Sequence, residues 1–266
     1  MRLRLRTLSR SLFAPLAFAA ACSTGEAPPP RAPEPTAATA PDAAPSPQLL
    51  AALGAPTRKP QERVRDAHRH PAETLAFLGL RDDMNVVEID AGGGWYTAIL
   101  APFLREKGAL AVTIGDPNGP ADSEGATIGR RLTERLAQDP AAFGKVRTII
   151  EPNQGDFSLG PDGSADAVLL FRNIHNWIAA GVTGPSLARV HRVLKPGGVL
   201  GIEAHRGAPG GPTDAKSIEK TGYVPEAEVV RLIEAAGFKL AARSEINANP
   251  KDTKDHPEGV WTLPPT

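Results

Sequence analysis

The chain has 266 residues with 30 basic and 30 acidic side chains, a formal charge of zero. That length fits one α/β domain with extensions. With Cys22 as its single cysteine, the chain cannot form an internal disulfide, and without a basic excess it lacks the usual footprint of a nucleic-acid binder.

The N-terminus reads as a targeting segment. Arg2, Arg4, Arg6 and Arg10 form a basic region, and residues 11–21 are apolar, uncharged and too short to span a bilayer, the layout of a secretory signal. Cys22 follows Ala19-Ala20-Ala21 and resembles a bacterial lipoprotein lipobox, with Ala19 where that family most often has leucine. The resemblance implies a lipidated Cys22 as the mature N-terminus. Ser23, not being aspartate, implies sorting to the periplasmic face of the outer membrane. Under the other reading Cys22 is incidental to an ordinary cleavage site and the product is soluble in the periplasm. Acylation would leave the mature domain without a free thiol for nucleophilic, zinc or redox chemistry.

Residues 22–48 are dominated by Ala, Pro, Ser and Thr, as expected of a semi-extended tether, and 49–266 form the expected folded domain. Without residues 1–21 the bases fall to 26 against 30 acids, a formal charge of −4. This again argues against a nucleic-acid partner. No protein partner is expected.

Within the domain, a helical stretch over 60–77, with Val64, Ala67, Leu75 and Leu78 among many charges, is placed over the sheet edge or the ligand. Strands are then predicted at 84–89, 110–114, 146–150, 167–171 and 199–202, with closing strands at 238–246 and 260–263. Helices are predicted at 97–107, 128–137, 186–194 and 226–236. Lys195-Pro196-Gly197-Gly198 stops the third of these, and 205–216 is a polar loop. The alternation predicts a doubly wound, mainly parallel sheet of seven strands.

The most informative segment is Val86-Val87-Glu88-Ile89-Asp90-Ala91-Gly92-Gly93-Gly94-Trp95-Tyr96-Thr97, a strand entering a glycine turn and then a helix. Glycine permits special dihedrals and close approach to a ligand at a helix N-terminus. The dinucleotide fingerprint G-x-G-x-x-G fits in part, with Thr97 in place of the third glycine. Glu88 to Gly94 also resembles the acidic–apolar–G-x-G-x-G pattern of class I S-adenosylmethionine-dependent methyltransferases, with Asp90 replacing the first glycine.

Other segments fit the second frame, in the family's order. Leu194-Lys195-Pro196-Gly197-Gly198-Val199-Leu200 resembles the L-x-P-G-G passage before the fifth strand. Gly155-Asp156-Phe157 followed by Asp162-Gly163-Ser164-Ala165-Asp166 resembles the family's "GD…DgsfDvv" passage. Phe171-Arg172-Asn173-Ile174-His175-Asn176-Trp177 and Gly201-Ile202-Glu203-Ala204-His205-Arg206 resemble segments of exported bacterial proteins described as predicted methyltransferases.

The resemblance implies a Rossmann-like methyltransferase fold with an antiparallel final strand, S-adenosylmethionine as cofactor and a small-molecule methyl acceptor. It places Glu88 near the cofactor's amino group, directly or through water, and Gly92 and Gly94 against its backbone-facing side, with Asp90 and Tyr96 beside them. Asp116 would accept from the ribose hydroxyls, and Asp156 from the adenine amino group with Phe157 against the ring. Each has a plain alternative. Asp116 lies in the turn sequence Asp116-Pro117-Asn118-Gly119, Asp156 can orient its own loop, and Trp95 and Tyr96 can pack the helix. Asp90 suits a left-handed conformation.

Methyl transfer needs a general base only if the acceptor must lose a proton. His175 and His205 are the candidates at strand ends; otherwise they are structural. Asn173, two residues before His175, would face the same side of an extended segment and is counted among the expected cofactor-binding residues. His68 and His70 have no third ligand, and Thr127 stands where a calcium loop starting at Asp116 needs glutamate, so no metal site is expected. A catalytically inactive, membrane-anchored binding module on this scaffold is the alternative to an enzyme.

Overall fold

The computed structural model describes residues 2–7, 44–152 and 156–262. Its strands are β1 (Arg2–Thr7), β2 (Asn85–Ile89), β3 (Ala109–Gly115), β4 (Arg147–Glu151), β5 (Ala165–Phe171), β6 (Leu194–Glu203) and β7 (Phe238–Ser244). Four helices precede β2: α1 (Pro47–Leu53), α2 (Pro60–Val64), α3 (Asp66–Arg69) and α4 (Pro71–Phe77). The later helices are α5 (Thr97–Leu104), α6 (Glu124–Gln138), α7 (Pro140–Phe143), α8 (Ile174–Ala179), α9 (Thr183–Val193), α10 (Ala215–Thr221) and α11 (Glu226–Ala235).

The strands form one sheet in the order β4-β3-β2-β5-β6-β1-β7. All pairings from β4 to β6 are parallel. Such strands are covered on both faces, and the residues of β5 alternate accordingly. Ala167, Leu169 and Phe171 join the core beneath α1, α4 and α5, while Val168 and Leu170 join the core beneath α9 and α11. The chain moves outward from β2 to β3 and β4, then returns to place β5 on the other flank of β2. The reversal opens a crevice beyond the carboxyl ends of β2 and β5, where open α/β sheets bind ligands.

Several elements differ from the sequence expectations. The stretch 60–77 is three helices rather than one; α4 is set apart from α3 because Pro71 lacks a donor N–H and His70 before it turns left-handed, at φ 38°. Residues 260–263 are not a closing strand. Gly259–Thr262 is a 3₁₀ turn, and Leu263 lies outside the described residues. The antiparallel place falls instead to β1, which pairs with both β6 and β7. Its Arg-Leu-Arg-Leu-Arg-Thr sequence has the alternation of a strand, and its backbone donors and acceptors are met by antiparallel neighbours on both sides. Residues 2–7 were expected to lie outside the fold. The first helix of the domain also begins before residue 49, since Ser46 caps α1 by accepting from the Leu49 N–H. Cys22 lies outside the described residues.

Candidate functional site

The crevice is a cleft of about 620 Å³, bounded by the glycine turn after β2, the segment after β5 and the cover formed by α2 and α3. Its floor is Glu88, whose carboxylate is 3 % exposed and accepts a hydrogen bond from the Thr97 hydroxyl at 2.7 Å. Burial pushes this carboxyl up to about 8, against the opposing effects of Thr97 and Arg135. Thr97, a mismatch in the dinucleotide frame, thus holds the cleft's central acid.

The turn itself is strained in a way its neighbours support. Asp90 is left-handed at φ 49°, as are Gly92 at 57° and Gly94 at 77°. Thr113 Oγ1 accepts from the Asp90 N–H at 2.8 Å, and the Asn173 side-chain amide donates to the Asp90 carbonyl at 3.1 Å. The Asp90 carboxyl is raised by burial and by the like charge of Glu151, and a hydrogen bond from Trp177 opposes this. Asn173 and Trp177 therefore fix the residue that departs from glycine. A Cβ on Gly94 would meet Leu132 Cδ1 at 2.7 Å, whereas one on Gly93 would meet nothing within 4 Å. Gly94 thus lets α6 pack on the turn, and the surface at Gly93 stays open.

The cover is pinned to this turn. Arg135 of α6 donates to the Gly93 carbonyl at 2.8 Å and to both carboxylate oxygens of Glu62 in α2, at 2.5 and 2.9 Å. Trp95 donates its indole N–H to the Glu62 carbonyl, and the Arg69 guanidinium lies 4.6 Å from the Trp95 ring centre. Tyr96 stacks on Phe171 at 3.7 Å and donates its hydroxyl to Glu203 at 2.9 Å. Trp95 and Tyr96 accordingly do the packing that was their alternative reading, while both also line the cleft.

Of the candidate bases, His175 is 3 % exposed and neither ring nitrogen has a hydrogen-bond partner among the described residues. Burial, then the Arg172 charge, lowers its pKa to about 4; the same two causes, with His175, lower His205 to about 3. The rings are 6.2 Å apart and both line the cleft. Both imidazoles are therefore neutral at pH 7, able to accept or donate a hydrogen bond but weak as bases. Asn173 and His175 are not on an extended segment, since α8 starts between them, yet both face the cleft.

Four expected residues do not line the cleft: Gly94, which packs against α6, and Asp116, Asp156 and Phe157. Asp116 accepts from the Asn118 N–H at 2.9 Å and serves its turn. The approach of α6 explains this: a Cβ on Gly129 would lie 2.1 Å from the Gly115 carbonyl oxygen, so the chain leaving β3 is held under the helix. Asp156 pairs with Arg189 at 2.9 Å, and the same arginine lies over the Phe157 ring at 4.6 Å. Gly155 lies outside the described residues. The sequence reading, in turn, missed Arg65, Arg69, Arg172 and Glu203, which line the cleft or its neighbour. Arg172 and Glu203 lay within quoted motifs; Arg65 and Arg69 carried no motif at all.

The described residues include no group of three or more side chains arranged to hold a metal ion. No protein-family model matches the chain, and no curated protein matches it. Among solved structures, the chain is similar to a SAM-dependent methyltransferase from Aquifex aeolicus, with 19% identity over 67% of this chain and 83% of that one, at a TM-score of 0.50. It is also similar to the [4+2]-cyclase SpnF, with 18% identity over 73% of this chain and 69% of that one, at 0.49. The methyltransferase CalH in complex with SAH follows at 17% identity, covering 68% of this chain and 53% of that one, at 0.47. The chain thus has the α/β, Rossmann-like fold of methyltransferases, with a mainly parallel sheet.

Proposed function

We propose that the protein binds S-adenosylmethionine in the cleft between β2 and β5 and transfers its methyl group to a small molecule. The observation that carries this reading is the buried carboxyl of Glu88 beneath an open left-handed glycine turn. A carboxyl held protonated by burial is poised to ionise when an ammonium group arrives beside it. Gly92 and Gly93 leave room for backbone contact, and His175, in the cleft wall, has two buried ring nitrogens without a partner among the described residues. These groups fit the zwitterionic amino-acid end of that cofactor.

When bound, S-adenosylmethionine supplies a methyl carbon whose bond to sulfur breaks as its bond to the acceptor forms, with the electron pair returning to sulfur. The protein's own contribution is alignment and exclusion of water. Glu88 and the Asp90–Gly94 turn hold one end of the cleft, the cover over Trp95 closes it, and His175 and His205 orient the acceptor as neutral hydrogen-bonding groups. At pKa values near 4 and 3 they are poor bases, so the reading suits an acceptor that arrives already ionised, such as a carboxylate, and needs no proton removed.

Titration calorimetry of the full chain with S-adenosylmethionine and its demethylated product tests the reading. Micromolar binding of either supports it; heat from a nicotinamide dinucleotide alone would replace it with an oxidoreductase. The export leader, acylation of Cys22 and an outer-membrane location are part of the proposal. They rest on the sequence pattern of residues 1–23. Palmitate labelling of the expressed protein, and loss of the label in Cys22→Ser, test them.

A further inference from the structure

A second cavity of about 710 Å³ adjoins the cleft, large enough for a small metabolite. The two share Arg65, Arg69, Arg172 and His205 as a common wall. We propose that this second cavity is the methyl-acceptor pocket and that the acceptor carries an oxyanion, a carboxylate or phosphate, held by Arg65 and Arg172. This rests on the reading of the first cleft as the cofactor site.

Charge in the shared wall argues for an anion. Among the described residues neither Arg65 nor Arg172 has an ion-pair partner, and the Arg172 Nε is buried without a hydrogen bond. The acids nearby are already engaged. Glu62 is clasped by Arg135, Glu203 accepts from Tyr96, and Asp252 accepts from Tyr223 at 2.7 Å. Arg206, the fourth arginine of the cavity, is matched by Glu226 and Glu245.

The surplus is felt throughout the wall. The Arg172 charge lowers the pKa of Arg65, Arg69, His175 and His205, second in each case to burial. Arg69 falls to about 9. Arg172 is also held in place at backbone cost, at φ 58°, with its N–H donating to the Glu203 carbonyl at 2.6 Å.

The cofactor cannot supply the missing negative charge. Its sulfonium and ammonium outnumber its single carboxylate, so its arrival adds a net positive charge to a wall that already has an excess. One guanidinium suffices for the one carboxylate, and the shared wall holds three, those of Arg65, Arg69 and Arg172. Two remain for a second anion, and bidentate guanidinium recognition suits carboxylate and phosphate alike.

The test uses inorganic phosphate and benzoate as probes, titrated into the full chain alone and after saturation with S-adenosylhomocysteine. Saturable one-to-one binding of at least one probe is expected, retained within about threefold in the loaded protein, and weakened at least tenfold in Arg65→Gln. Arg65→Lys should keep part of the affinity, and high salt should weaken binding throughout. A stronger response to phosphate or to benzoate identifies which anion the acceptor carries. Displacement of the probe by S-adenosylhomocysteine would assign the arginines to the cofactor and overturn the proposal. So would the lack of saturable binding, or affinity unchanged in both Arg65→Gln and Arg172→Gln. Failure of S-adenosylhomocysteine itself to bind would overturn the cofactor reading instead, leaving the anion site to be judged by the titrations without it.

Discussion

The hydroxyl of Thr97, at the first residue of α5, donates to the carboxylate of Glu88, near the end of β2, across 2.7 Å in a region closed to solvent. This hydrogen bond favours the charged carboxylate, and burial opposes it more strongly, so Glu88 ionises near 8. The group is raised above its unfolded value. Its contribution to stability is therefore full below the unfolded pKa and is lost as pH rises through about 8.

Glu88→Gln removes that titration while keeping an acceptor for Thr97. The parent should lose about 1 kcal/mol per pH unit more than the variant between pH 6 and 8, following the linkage slope. Urea unfolding at several pH values measures the difference. Parallel pH dependences would show that Glu88 does not titrate there. The variant should also lose cofactor binding, since an amide cannot ionise beside an ammonium.

Gly94→Val tests the turn. A side chain at φ 77° is strained by about 1–2 kcal/mol, and its Cβ would meet Leu132 at 2.7 Å, so overpacking adds about 1–3 kcal/mol. Cofactor affinity should fall by more than tenfold in protein that still folds by circular dichroism. Unchanged affinity would move the site away from this turn.

Arg135→Met should release the cover. It frees the Glu62 carboxylate and the Gly93 carbonyl together, so among the described residues α2 keeps only the Trp95 indole bond as its tie to the turn. Hydrogen exchange over residues 60–69 should quicken, and cofactor affinity should fall about tenfold, or about 1.4 kcal/mol. Equal exchange in parent and variant would show that the cover is held by other contacts.

His175 and His205 should stay neutral across the physiological range. Their folded pKa values lie below the unfolded value near 6.5, so the stability they contribute is present above that pH and is lost as pH falls toward 4 and 3. Proton NMR of the imidazole Cε1–H signals should show two histidines that do not titrate between pH 5.5 and 8. Ordinary titration of both would contradict the burial and Arg172 field described above.

The strand β1 bears on processing. Cleavage before Cys22 would remove it and leave β6 and β7 with unpaired edges facing one gap. A chain beginning at Cys22 should melt several degrees below the full chain, or self-associate through the exposed edges; chromatography and calorimetry separate these outcomes. Equal melting temperatures and a monomeric profile would show that β1 adds little to the sheet.

Much of this was legible in the residues, and for physical reasons. Runs such as Ala165–Phe171 and Asn85–Ile89 are apolar on both faces, which marks central parallel strands, and the glycine turn announced the crevice between them. The role of Thr97 was not legible, because its contact with Glu88 depends on how α5 meets β2. Nor were Arg65 and Arg69, whose importance lies in sharing a wall with Arg172, more than a hundred residues away in sequence. Asp116 misled because an acid after a strand and an acid in a turn read alike until α6 is seen pressing on Gly115. Residues 2–7 were read as a basic leader, and their place in the sheet was not legible, since alternating Arg and Leu suits both a leader and a strand.

The central claim is that the cleft over Glu88 binds S-adenosylmethionine. Titration of the full chain with S-adenosylhomocysteine at pH 7, in two buffers of different ionisation enthalpy, tests it most directly. The predicted result is micromolar one-to-one binding with close to one proton released, as Glu88 ionises beside the ligand's ammonium. Absence of saturable heat up to millimolar ligand would contradict the assignment of this site.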